Sequence, residues 1–188
     1  MVPPIALAQA PETLELGDLR ARANQRLWQE GELVVDPAIF ESLRLHLPRI
    51  TTARSLVKRG RAVNELTKYR YDVVLHLDGA HAPVAASEVR TAHADSVSSV
   101  RMLLQSSPVA IRVPNLRDRR LAQDVRALQL MADLPPTLTV RELRELLVDA
   151  DDGTVDPEDF IGLHEDYTVE LAQPDSGLHG RFDLAQAE

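Results

Sequence analysis

The chain has 188 residues, a formal net charge of −8 and no cysteine. That length suits one domain with its own core. The acidic balance argues against general binding to nucleic acid or an anionic membrane, and without thiols there is no disulfide, thiolate metal site or cysteine nucleophile. Hydrophobic residues make up 44% but aromatics only 4%, so Leu, Val and Ala must do most of the packing. No apolar run nears the roughly 20 residues that cross a bilayer, and Met1–Ala10 lacks the basic segment of a secretory leader. A cytoplasmic protein is expected.

Pro3 and Pro4 mark residues 1–11 as a flexible end, with a single domain from 12 to 188. From Asp18, Leu19, Ala23, Leu27 and Trp28 recur at helical spacing as far as Gly31, with Trp28 as a core or interface anchor. Asp36-Pro37 is a helix start: the carboxylate accepts a backbone N–H, and proline at the first position lacks only an N–H that would be unpaired anyway. Ile39, Phe40, Leu43 and Leu47 would be that helix's buried stripe. Asp156-Pro157 repeats the device ahead of Phe160.

The centre of the chain is Lys58–Leu77. Tyr69, Tyr71, Val73, Leu75 and Leu77 alternate with Arg70, Asp72, Val74 and His76, which reads as a strand with one well-buried face. Arg54–Lys58 is a shorter candidate strand, Gly60 lets the chain turn, and Arg61–Thr67 is a loop with one helical turn. Asp78–Thr91 is a loop. Asp95 caps a helix through Val97, Val100 and Met102–Leu104. Val109–Val113 is a strand closed by Pro114-Asn115, and Leu116–Met131 is a helix with Leu121, Val125, Leu128 and Met131 in register. Thr139 and Glu142 form a capping box for Val140–Leu147. Tyr167–Leu171 and Phe182–Leu184 are strands joined by turn residues Pro174–Gly177. The expected architecture is mixed α/β (α+β), one sheet with antiparallel hairpins and helices packed against it.

Several segments carry a resemblance. The run K-R-G-R-A-V-N-E-L-T-K-Y-R-Y-D-V-V-L resembles the segment that follows the cofactor-binding core in methyltransferase domains of nonribosomal peptide synthetases. The flanking A-L-A-Q-A-P-E-T-L, E-G-E-L-V-V-D-P-A-I-F, L-P-R-I, V-P-N-L-R, T-V-R-E-L-R-E-L-L, V-D-P-E-D-F and G-R-F-D-L extend it over roughly Ile5 to Leu184. The resemblance implies the C-terminal part of a class I, S-adenosylmethionine-dependent domain that acts on a carrier-bound aminoacyl group. Such a domain cradles its cofactor on a glycine-rich turn after the first strand. These 188 residues hold no G-x-G-x-G. No cofactor is therefore expected on this chain alone, and S-adenosylmethionine only where a partner supplies the core. The implied partners are a peptidyl carrier protein, a nonribosomal peptide synthetase, or a chain carrying that core; the alternative is a non-catalytic docking module.

Within the central loop, Asn64 and Glu65 are weak catalytic candidates beside Lys58, Arg59, Arg61, Lys68 and Arg70. Those five cations would meet a carrier's acidic surface and phosphate, or else form a solvated ion-pair cluster. Val63 stands where members of the family often have histidine, which removes a general base. Asn115 with Arg117, Arg119 and Arg120 opens a helix after a strand, a second place for an anion. The closest histidines, His76 and His81, lack ligand spacing, and Asp149–Asp159 lacks the acid at the twelfth position of a calcium loop. No metal is expected.

Overall fold

The computed structural model describes residues 2–29, 31–79, 88–106, 108–147, 153–174 and 180–187. His81 and His179, the Asp175–Gly177 turn and Asp149–Asp152 lie outside them. The chain divides into two compact units, Met1–Val34 with Leu121–Asp152, and Val35–Arg120 with Gly153–Glu188, where the sequence suggests one domain. Among the described residues no helix is long and apolar enough to cross a membrane.

The first unit is helical. Helix α1 (Val2–Gln9) occupies the expected flexible end, and its Ala6 and Leu7 are buried. They join Leu16, Leu19 and Ala23 of α2 (Leu16–Gln29), with Ala127, Leu130 and Met131 and, further on, Val140 and Leu143. Leu27 and Trp28 are not part of this core: Trp28 is 90% exposed, because the helix outruns its packing partners by a turn. The Thr139–Glu142 capping box forms as expected and starts a helix over Val140–Leu146. The start of α2 is pinned by the amides of Leu16 and Gly17, which donate to Leu138 O and Pro136 O at 2.8 and 2.9 Å.

The second unit holds the sheet. Helix α3 (Ala38–His46) begins as the sequence predicts, with Asp36 Oδ1 accepting the Ala38 amide at 2.9 Å. Its predicted stripe is not buried, however; no residue of α3 is. Strand β1 (Ile50–Val57) leads through a single helical turn, α4 (Glu65–Tyr69), into β2 (Tyr71–Leu77). After β3 (Val89–Thr91) come α5 (Val97–Leu104), β4 (Ala110–Arg117) and α6 (Arg119–Asp133). Then follow α7 (the Val140–Leu146 helix), a 3-10 helix at Pro157–Phe160, β5 (Thr168–Ala172) and β6 (Arg181–Ala187). The sheet runs β2-β1-β5-β6-β4-β3 and is antiparallel except for the β3–β4 pair. This is the mixed architecture that the sequence predicts, with the β5–β6 hairpin in place.

Buried residues are most numerous on β4 and β6. Ile111, Val113, Leu116, Leu171, Phe182 and Leu184 pack with Val100 and Leu104 of α5 and with Phe160, whose ring meets Phe182 edge-on at 5.9 Å. The α5 cap is Ser96 rather than Asp95, whose carboxylate takes the Ser99 hydroxyl instead. Pro114-Asn115 does not close β4. The strand continues through them with a bulge, Asn115 at φ 61°, its amide held by Asp183 Oδ1 at 2.9 Å.

The largest correction concerns β2. It is an end strand of the sheet, and none of its residues is buried. Leu75 is 41% and Leu77 47% exposed, while Tyr69 belongs to α4 rather than to the strand. Alternation marked the strand correctly, but it cannot reveal whether a second layer covers the apolar face.

Candidate functional site

The connection from β1 to β2 is built on one acidic side chain. Gly60 sits at φ +131°, a conformation open to glycine, and donates its amide to Glu158 Oε1 at 2.8 Å. Arg59 grips the same carboxylate with both prongs, Nε to Oε1 at 2.7 Å and Nη2 to Oε2 at 3.0 Å. These donors, Arg59 foremost, hold the Glu158 carboxyl down to about 2, well below the usual range. The Arg59 guanidinium is pushed up in return, again by its hydrogen bond to Glu158.

Beneath lies Arg120, the most buried cation of the group. Its Nη1 donates to Lys58 O at 2.9 Å and its Nη2 to Asp156 Oδ1 at 3.0 Å, with Glu158 Oε1 3.9 Å away. Asp156 also caps the 3-10 helix, accepting the Glu158 amide at 2.9 Å. Asp118 accepts the Arg120 amide at 2.8 Å. Burial pushes its carboxyl up to about 6, against the opposing pull of that hydrogen bond.

Above this base the loop is locked by its own cap. Asn64 Oδ1 accepts the amides of Leu66 and Thr67 at 3.0 and 3.2 Å, and Thr67 Oγ1 accepts the Asn64 amide at 3.1 Å. The Thr67 hydroxyl donates to Ala62 O at 2.5 Å. The remaining predicted residues line the rim. Arg61 reaches Asp159 at 3.2 Å, Lys58 meets Asp72 at 2.5 Å, and Arg70 lies 3.9 Å from Glu65. Lys68 Nζ stands 5.2 Å from the centre of the Tyr69 ring. The structure thus brings all seven predicted residues onto one connection, but in unequal roles. Arg59 is a strut, Asn64 is a cap, and Glu65, Arg61 and Val63 face outward.

The acids that organise the loop were missed in the sequence. Glu158 and Arg59 lie 99 positions apart. The one available signal was the match of the acidic run Asp156–Asp159 to the basic run Lys58–Arg61.

At the second candidate, several of the groups are engaged within the chain. The Arg120 amide at the start of α6 is taken by Asp118, and the Arg120 side chain points to Asp156. Arg119 donates to Thr154 O at 3.1 Å, and Asn115 O accepts from Arg181 at 2.8 Å. Among the described residues no three His, Asp or Glu side chains are placed to share a metal ion.

Two backbone donors near these turns are engaged within the chain: Gly60, on the β1-to-α4 connection, donates its amide to Glu158, and Asp118, where β4 enters α6, accepts the Arg120 amide.

No family model matches the chain. Among known proteins it is similar to chondramide synthase of Chondromyces crocatus, 43% identical over 75 residues, 40% of this chain and 2% of the synthase. It is also similar to a nonribosomal peptide synthetase of Emericella nidulans, 47% identical over 62 residues, 32% of this chain and 2% of that protein. Peramine synthetase of Metarhizium majus matches at 32% over 111 residues, 56% of this chain and 4% of the synthetase. The chain therefore spans a few per cent of the length of the relatives it matches. What it shares with them is a short region of nonribosomal peptide synthetases.

Proposed function

We propose that this chain is the substrate-side region of a methyltransferase-like domain of nonribosomal peptide biosynthesis, and that its β1–β2 connection contacts an aminoacyl group or the carrier protein that bears it. Methyl transfer to the amino nitrogen would need a glycine-rich, S-adenosylmethionine-binding region, on the same polypeptide or another. The observation that carries the contact role is the rigid mounting of an otherwise exposed loop. Glu158, Arg59 and Arg120 fix its base, Asn64 and Thr67 fix its turn, and Arg61, Val63, Glu65 and Leu66 are left facing outward. Preorganised surface loops lower the ordering cost of binding.

The same geometry favours docking over chemistry at this loop. Asn64 Oδ1 is engaged by two amides, and Glu65 lies on the exposed rim, 3.9 Å from the Arg70 guanidinium. A non-catalytic docking module is accordingly the second reading.

The test is association with an aminoacyl-loaded carrier protein at two salt concentrations, together with a methylation assay in S-adenosylmethionine. Binding that weakens with salt and is slowed by Arg61→Ala, with no methylated product from the chain alone, is expected. Product from the chain alone would overturn the need for a completing region. Absence of carrier binding at either salt concentration would overturn the contact role.

A further inference from the structure

Strand β2 ends the sheet, pairing with β1 on one side, and among the described residues no strand lies on the other. Long apolar end strands are templates for pairing, and proteins blunt them with Lys, Pro or a bulge. Tyr71–Leu77 contains neither Lys nor Pro, and its register with β1 is unbroken from Tyr71 to His76. Val74, Leu75 and Leu77 are exposed along it. Among the described residues its protections are confined to one charged side chain, Asp72, and a register shift at the Leu77 end.

The strand is also complementary to itself. We propose that β2 pairs antiparallel with β2 of a second copy of this chain, about a two-fold axis at Val74. Asp72 then faces His76, Tyr71 faces Leu77 and Val73 faces Leu75, and one residue beyond the strand ends Arg70 comes opposite Asp78, which stands at φ 59°, each pair occurring twice by symmetry. Centring on Leu75 instead sets Asp72 against Asp78, and centring on Val73 sets Arg70 against His76. Centring between Val73 and Val74 sets Asp72 against Leu75. Of these four registers, the Val74 one alone sets Arg70 opposite Asp78 and Asp72 opposite the His76 imidazole, with apolar pairs between them. The existing pairs of this strand, Lys58 with Asp72 and Arg49 with Asp78, lie at the surface and adjust at little cost. The proposal is independent of carrier contact and methyl transfer.

Light scattering and sedimentation across a dilution series of the full chain test it. The wild type is expected to dimerise and to dissociate on dilution. Leu75→Lys and Arg70→Asp should each weaken association, on the order of tenfold, with unchanged circular dichroism and only small shifts in urea melts of dilute chain, because both positions are exposed. The double variant Arg70→Asp with Asp78→Arg should restore association, since it exchanges the facing charges. A wild type monomeric at every concentration, as expected if this edge serves a different protein, overturns the proposal. So does a dimer indifferent to Leu75→Lys. A dimer that Leu75→Lys breaks, but that ignores Arg70→Asp or is not rescued by the exchange, overturns the register.

Discussion

Strands β6 and β2 of the second unit both carry apolar side chains two apart and differ in packing. Phe182 and Leu184 on β6 are fully buried, while Leu75, two after Val73 on β2, is 41% exposed. The difference is one of neighbours. β6 lies between β5 and β4, with Phe160 and α5 covering its face. β2 has β1 on one side, and near its start Phe40 of α3, which meets Tyr71 edge-on at 6.2 Å. An apolar residue contributes through the area it removes from water, and that area is set by what lies above it.

The sharpest way to break this contrast is to truncate a side chain on each strand. Phe182→Ala should cost about 3–5 kcal/mol, and Leu75→Ala about 1 kcal/mol or less, in urea melts of dilute chain. Comparable in size is Arg120→Ala. It leaves Asp156 and Glu158 without their buried counter-ion, a loss of about 3–5 kcal/mol if the cluster behaves as buried pairs do. Loss of less than 1 kcal/mol would mean that water reaches the site.

The next effect is one of pH. Asp118 has its folded carboxyl raised to about 6 by burial, so between its unfolded value near 4 and pH 6 the folded state binds more protons than the unfolded one. Stability from this group therefore falls as pH rises through that window. Glu158, depressed to about 2, acts oppositely: its contribution is present above about 4.5 and is lost as pH falls towards 2. Asp118→Asn should flatten the fall between pH 4 and 6 and keep the Arg120 amide bonded. An unchanged pH profile in that variant would remove Asp118 as the titrating group.

Smaller effects follow at the helix start and the rim. Thr139→Ala should cost about 1 kcal/mol by removing the capping box, seen as a lower melting midpoint. Arg61→Ala, breaking an exposed pair with Asp159, should cost under about 1 kcal/mol, so that any larger change in carrier association reflects contact rather than folding.

What was legible in the sequence was local. The Thr139–Glu142 box, the Asp36 and Asp156 starts and the β5–β6 hairpin each depend on residues within a few positions of one another, and each was found. The seven loop residues were legible as a group for the same reason. The missing pieces were long-range. Arg59 was read as a docking cation or a member of a solvated ion-pair cluster, and its actual partner, Glu158, 99 positions away, was out of view. Pro114-Asn115 looked like a strand end because the sequence does not reveal Asp183 waiting on β6 to hold the Asn115 amide. The exposure of Trp28 and Leu75 depends on which elements fall short of them, which no periodicity records.

Native-state hydrogen exchange on dilute, monomeric chain tests the central contrast most directly. Amides of β4 and β6, Ile111–Val113 and Phe182–Gln186, should exchange only through the slowest opening, while β2, an end strand with no buried residue, should exchange through local opening orders of magnitude faster. Equal protection of β2 and β6 in the monomer would contradict the account.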